Sequence, residues 1–117
     1  MDKRNFIRVN FSAAASINFN GQVIAGDIEN LSLHGLFIKT SREIPLNTPL
    51  DVTVHPDSNA SFNLKVSAVR RNCSGLGMQI QEMGVLSFVH IRNVVALQCD
   101  DYDEIISETY KVVRIIH

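Results

Sequence analysis

The chain has no tryptophan, and its two tyrosines, Tyr102 and Tyr110, both lie near its C-terminal end. Barrels that bind single-stranded nucleic acid present basic, aromatic strand faces on which successive bases stack. Such faces are missing here, and a formal net charge of -1 also argues against a basic stripe for a polyanion. We therefore expect no nucleic-acid polymer as a partner.

Cysteine is also scarce: Cys73 and Cys99 are the only two, and they form no C-x-x-C pair. Lone thiols this far apart do not indicate a disulfide, and the four scattered histidines lack the spacing of a zinc site. The sequence also lacks a serine–histidine–aspartate order, a paired-carboxylate pattern and a phosphate loop. It therefore predicts neither a metal centre, nor a cofactor, nor an enzyme.

Long apolar runs are absent as well. No segment approaches the ~20 apolar residues that a membrane-spanning helix needs, and no signal-peptide core precedes the first strand pattern. Hydrophobic residues nevertheless make up 45% of the 117 residues, which is enough for one core. We expect a single folded domain over residues 1–117, in the cytoplasm and not inserted in a membrane.

Apolar and polar residues alternate along most of residues 9–83, and this period of two predicts β-strands. Asn20-Gly21 is a strong hairpin signal, because both turn positions need a positive φ. Six strands are expected, at about residues 9–19, 22–29, 36–39, 50–54, 62–71 and 76–80. Short strands separated by turns indicate an antiparallel β-barrel, because closure removes exposed strand edges.

After Gly84 the apolar residues recur at helical spacing instead. One helix is expected there, with Ser87 as a candidate N-cap. A second is expected to begin near Asp101, with Glu104 three residues on, as in a capping box. The acids of this second helix are interpreted as pairing with the helix dipole, in preference to an interaction tail. The prediction is a mainly β fold with one or two C-terminal helices over residues 84–117.

Two short motifs carry charged or hydrogen-bonding groups at the ends of the predicted first hairpin. They are Arg4-x-x-x-Arg8 before the first strand and Asn30-x-Ser32-x-x-Gly35 after the second. Alone, the first is typical of a solvated arginine pair. The second alone is typical of a turn whose side chains bond to their own backbone. In this order and on either side of one hairpin, the two motifs together are much more specific.

The pair resembles the signature of the PilZ domain, which is R-x-x-x-R followed by D/N-x-S-x-x-G. The resemblance extends over about residues 3 to 98 and includes the predicted strand number, the last strand and the helix after it. It implies a six-stranded antiparallel PilZ-like barrel over residues 9–83, preceded by a basic arm over residues 1–8. It also implies a receptor for cyclic dimeric GMP (cyclic di-GMP) that passes its signal to an unknown downstream protein.

By this resemblance, the ligand-binding residues are Arg4, Arg8, Asn30, Ser32 and Gly35. Arginine is always charged, and its planar fork can hold phosphate oxygens or the edge of guanine and can stack on a base. Asparagine and serine add uncharged hydrogen bonds. Glycine permits a tight turn and a close approach of the backbone.

Two further residues are candidates for the same ligand. In the family, the position of Lys3 influences whether one or two stacked nucleotides bind, and a basic residue there favours two. Arg70 ends the fifth predicted strand near the turn before Gly75, where it would either contact the ligand or be solvated. Phe6 is expected to anchor the arm to the barrel, and no role is assigned to His34.

Two functions remain open on the sequence alone. A cyclic di-GMP receptor would relay the nucleotide level through ligand-induced ordering of its N-terminal arm, whose basic residues repel one another until an anion binds. A degenerate PilZ-like adaptor would bind proteins and no nucleotide. Such adaptors lack the two arginines, which favours the receptor for this chain.

Overall fold

The computed structural model describes residues 6–117, which form six β-strands, two α-helices and a short 3-10 helix. The strands are β1 (Val9–Phe19), β2 (Gln22–Leu31), β3 (Gly35–Lys39), β4 (Pro49–Asp57), β5 (Ala60–Arg71) and β6 (Leu76–Met83). The helices are α1 (Val85–Gln98) and α2 (Tyr102–Val112), followed by the 3-10 helix Val113–Ile115. The predicted mainly β fold with C-terminal helices is confirmed.

The six strands pair antiparallel in the order β1-β2-β3-β6-β5-β4, and β4 pairs with β1 to close the barrel. The hairpin between β1 and β2 turns at Asn20 and Gly21, whose φ angles are 53° and 77°. Both are positive, as the Asn-Gly signal predicted. Closure gives every strand a neighbour on each side and so satisfies backbone groups that an open sheet would leave unpaired.

Alternation places one apolar face of each strand inside the barrel. In β5, Leu64 and Val66 are buried on either side of the exposed Lys65. Helix α1 packs against β1 and β5 and contributes the buried Ile91 and Val95. Neither helix of the described residues is long and apolar enough to cross a membrane.

Several strands extend further than the alternation predicted. β2 reaches Leu31 and β6 reaches Met83, because backbone pairing continues where the alternation fades. β5 ends at Arg71, as expected, but a register shift between Ala68 and Arg70 interrupts its pairing with β6. This shift matters for the site, since Arg70 then pairs directly with Gly77.

The predicted N-cap of α1 is wrong. Gly84 occupies that position, and Ser87 lies inside the helix, where its buried hydroxyl donates to the Asn63 carbonyl oxygen at 2.8 Å. Ser87 therefore ties α1 to β5 instead of starting the helix. For α2 the prediction holds, because the Asp101 carboxylate accepts a hydrogen bond from the Glu104 N–H at 3.0 Å.

Candidate functional site

The segment that enters β1 lies between the 32–35 loop and helix α2. The Ile7 N–H donates to Glu108 Oε2 at 2.7 Å. The Phe6 ring lies 5.1 Å from the ring of His34, and Lys111 Nζ lies 5.7 Å from the centre of the Phe6 ring. Phe6 also packs against the barrel core, as expected of an anchor. The predicted site residues Lys3 and Arg4 lie outside the described residues.

Arg8 and Asn30 come from the two ends of the first hairpin and meet in the structure. Arg8 Nη1 donates to Asn30 Oδ1 at 2.6 Å, and both residues are half-buried. An aspartate in place of Asn30 would offer the same acceptor to Arg8. The asparagine oxygen is therefore used to orient the arginine, while its amide group can face a ligand.

The 32–35 loop is held by the buried hydroxyl of Ser32. Ser32 Oγ accepts hydrogen bonds from the N–H groups of His34 at 3.2 Å and Gly35 at 3.1 Å. The Ser32 N–H donates to the Gly35 carbonyl oxygen at 2.8 Å. Ser32 thus bonds to the backbone of its own loop, as is typical of a turn. The same loop also forms one wall of a hollow.

Two glycines form the floor beneath two arginines. A Cβ atom on Gly35 would lie 2.8 Å from the Met78 carbonyl oxygen and 3.6 Å from Arg8 Nη2. A Cβ atom on Gly77 would lie 3.2 Å from Arg70 Nε. Each guanidinium group therefore lies close to the backbone of a glycine. A larger residue in place of either glycine would crowd the arginine beside it.

Arg8 and Arg70 both line two adjoining hollows. One has a volume of about 440 Å³ and is also lined by Phe6, Ser32 and His34. The other has a volume of about 330 Å³ and is also lined by Asn30, Phe37 and Asn72. Both volumes lie in the range of small-molecule sites. The predicted residues Arg8, Asn30, Ser32, Gly35 and Arg70 are thus brought together.

Larger hollows of about 590 and 710 Å³ lie elsewhere on the barrel. Neither is lined by an arginine among the described residues. Within residues 6–117 there is also no group of three His, Cys, Asp or Glu side chains that could hold a metal ion. The arginine-lined pair of hollows is therefore the better candidate for an anionic ligand.

His34 lines this site, although no role was assigned to it from the sequence. Burial, and after it the positive charge of Arg114, lower the pKa of its imidazole below 6.5. The ring contacts Phe6 and lines the hollow beside Arg8, and its lowered pKa favours the uncharged form there. Its place inside the second motif is the signal that could have identified it.

Glu108 is the second residue that the sequence analysis missed. It is 1% exposed, and its Oε1 has no hydrogen-bond partner among the residues that the structure describes. Burial, opposed by the hydrogen bond from Ile7, raises the pKa of this carboxyl above 4.5. Glu108 shares a helix face with the buried Ile105 and Val112, and a carboxylate at apolar spacing could have identified it.

We expect the Glu108→Gln variant to be more stable than the parent at neutral pH and nearly equal to it below pH 4. Because the folded-state pKa is raised, the native protein holds a proton that the unfolded chain has lost between pH 4.5 and the raised value. The free energy of unfolding therefore falls as the pH rises through that window. Glutamine keeps an oxygen for the Ile7 N–H and carries no charge.

Urea denaturation between pH 3.5 and 8 measures this difference. The exposed Glu43→Gln serves as the control and should follow the parent at each pH. If the Glu108→Gln variant became less stable than the parent as the pH rises, the buried carboxylate would be stabilising, contrary to the expectation.

Known proteins share the sequence pattern and the fold of this chain. A sequence profile of the PilZ domain matches residues 2–97. The structure is similar to that of YcgR from Escherichia coli in complex with c-di-GMP, with a TM-score of 0.70 and 11% identity over 96% of this chain. It is also similar to the Bacillus subtilis inhibitor of motility MotI/DgrA, with a TM-score of 0.69 and 9% identity over 84% of this chain.

The chain spans about half of each of these two proteins, 51% in both cases. At identities this low, the structural likeness establishes the fold alone. The search of curated protein sequences found no match.

Proposed function

Because the chain belongs to the PilZ domain family, we propose that it is a receptor domain that binds cyclic di-GMP and has no catalytic role. The observation that carries the proposal is that Arg8 and Arg70 both line the same two adjoining hollows. YcgR of Escherichia coli, which shares the fold, has been crystallised with this nucleotide. The same ligand is proposed here for the arginine-lined site.

The chemistry of the ligand fits these groups. Cyclic di-GMP carries two phosphodiester anions and two guanine bases, and a guanidinium fork can bind either a phosphate or the O6/N7 edge of guanine. Asn30 fixes one edge of Arg8 and so limits the orientations of its fork. Arg70 offers a second planar cation above Gly77, on which a base can stack. Lys3 and Arg4 are proposed to complete the site from the arm.

Calorimetric titration of the protein with cyclic di-GMP in magnesium-free, low-salt buffer tests the proposal. We expect saturable binding of the cyclic dinucleotide and none of GTP or cyclic GMP at the same concentrations. Binding should weaken with salt, because part of the site is exposed charge. An absence of heat at high micromolar ligand would reject the receptor and favour the protein-binding adaptor.

The signalling step proposed for this receptor is the ordering of the N-terminal arm by the ligand. Phe6 and Ile7 already connect the arm to His34 and Glu108, so a ligand beside Arg8 would act on a segment that also contacts α2. A ligand shifts such an equilibrium only by its different affinity for the two states. Arm substitutions should therefore weaken binding and ordering together.

Amide hydrogen exchange with and without cyclic di-GMP measures this ordering. Protection is expected to rise at residues 3 to 9 and 30 to 35, with little change in α1. Equal protection of residues 3 to 9 in both conditions would reject the ordering step and leave the binding proposal standing.

A further inference from the structure

Helix α2 has an exposed apolar stripe in addition to its buried face. The stripe consists of Tyr102, Ile106 and Tyr110 of α2 and Val113, the first residue of the 3-10 helix that continues it, and these are 63%, 54%, 75% and 56% exposed. Their spacings of four, four and three residues place them on one side of the helix. A helix at the surface of a domain normally buries one apolar face and presents polar residues to water.

The stripe is separate from the face that packs on the domain. Ile105, Glu108 and Val112 are the buried residues of α2. At 100° per residue, the centre of the exposed stripe lies roughly 120° around the helix from the centre of this buried face. Packing among residues 6–117 therefore does not account for the stripe, whose four apolar side chains are available to a partner.

The charges along α2 are complementary to those of a second, antiparallel copy. The exposed Asp103 lies beside the stripe in the first turn of α2, and the exposed Arg114 lies on the same side just beyond the C-terminal end of the helix. A parallel neighbour would place acids beside acids. An antiparallel neighbour places each acidic end against a basic end, which is the arrangement that a two-fold axis produces.

The stripe is also nearly symmetric about the level of residue 108. A two-fold axis at this level brings Ile106 opposite Tyr110 of the second copy. The same axis brings Asp103 opposite Arg114 of the second copy, and Tyr102 beside Val113. The apolar contacts and the charge pairs are thus satisfied by one arrangement.

We propose that this stripe of α2 is a self-association surface, on which a second copy of the chain packs its own α2 in the antiparallel direction. Four side chains cover a few hundred Å² per copy, which is below the roughly 800 Å² per partner of a standard stable interface. The dimer is therefore weak and depends on protein concentration. We expect dissociation constants on the order of 10–100 µM.

Sedimentation equilibrium between 5 µM and 1 mM protein, without nucleotide, measures this association. Ile106→Asp should abolish it, because a charge would be buried in the middle of the interface. Ile106 is exposed in the single copy, so the fold should survive, and circular dichroism and urea denaturation check that it does. A parent chain that stays monomeric up to 1 mM would overturn the proposal, whatever other protein binds the stripe.

Charge reversal tests the antiparallel arrangement itself. Asp103→Arg and Arg114→Asp should each weaken self-association roughly tenfold, because each homodimer would contain two like-charged pairs. An equimolar mixture of the two variants should recover the parent affinity, because every reversed charge then faces its opposite. Arg42→Asp, on an exposed residue outside α2, is the control and should associate like the parent.

A mixture that associates no more tightly than the separate variants would overturn the antiparallel pairing. So would an Ile106→Asp variant that dimerises like the parent. Neither result depends on whether the protein binds cyclic di-GMP, so this proposal and the receptor function can fail separately.

Discussion

Replacing Arg8 by alanine is expected to weaken the binding of cyclic di-GMP roughly ten- to hundredfold and to leave the barrel folded. A charged hydrogen bond to phosphate or guanine is worth ~1.5–3 kcal/mol, which corresponds to this range of affinity. Arg8 precedes β1 and is half-buried, and its hydrogen bond to Asn30 Oδ1 can be replaced by water. Calorimetry measures the affinity, and urea denaturation confirms the fold.

Three variants separate the role of the guanidinium from that of charge alone. Arg8→Lys keeps the charge but loses the planar fork, so most of the affinity loss should remain. Asn30→Asp keeps the acceptor for Arg8 and should be milder. Arg42→Ala removes an exposed arginine that lines neither hollow and should bind like the parent. An Arg8→Ala variant with parental affinity would show that Arg8 is not part of the site.

Replacing Gly75 by alanine is expected to lower the free energy of unfolding by roughly 2–4 kcal/mol. A Cβ atom at this position would overlap the carbonyl oxygen of Ile38 and would lie 2.9 Å from the Cα of Lys39. Both atoms belong to the backbone of β3, which cannot move aside as a flexible side chain could. The cost arises from this steric overlap and not from backbone strain at Gly75, which directly precedes β6.

The position of Gly75 makes this cost large. β3 has only five residues, and four of them pair with β6. The pairing between these two strands, which connects β1–β3 to β4–β6 on this side of the barrel, is therefore short. A shift of Ile38 away from Gly75 would weaken its pairing with Leu76. The same shift would disturb the site, because Gly35 and Gly77 lie on these two strands.

Urea denaturation at pH 7 measures the effect. Gly84→Ala is the matched control, because the nearest heavy atom to its added Cβ would be the His117 carbonyl oxygen at 4.0 Å. It should cost no more than about 1 kcal/mol, because Gly84 is the N-cap of α1 and alanine is a poorer cap than glycine. If Gly75→Ala unfolded at the same urea concentration as the parent, the β3–β6 contact would be less tight than the structure indicates.

The sequence by itself determined the local structure of this protein. Alternation in β5 predicted a strand with Leu64 and Val66 inside, and Asn20-Gly21 predicted the hairpin turn. The acid at position 101 predicted the start of α2. These features depend on the burial or backbone angles of residues close together in the chain, so their signals are present in short segments.

Only the tertiary structure decided which distant residues meet. Closure of the barrel places Arg70 beside Arg8, because a register shift in β5 sets Arg70 opposite Gly77 while the first hairpin delivers Arg8 to Asn30. The packing of α2 places Glu108 on the Ile7 N–H, and the packing of α1 removes Ser87 from the capping position. Alternation reports whether a side chain is buried but not what it is buried against. Contacts between distant segments depend on strand order and register, which short-range patterns do not encode.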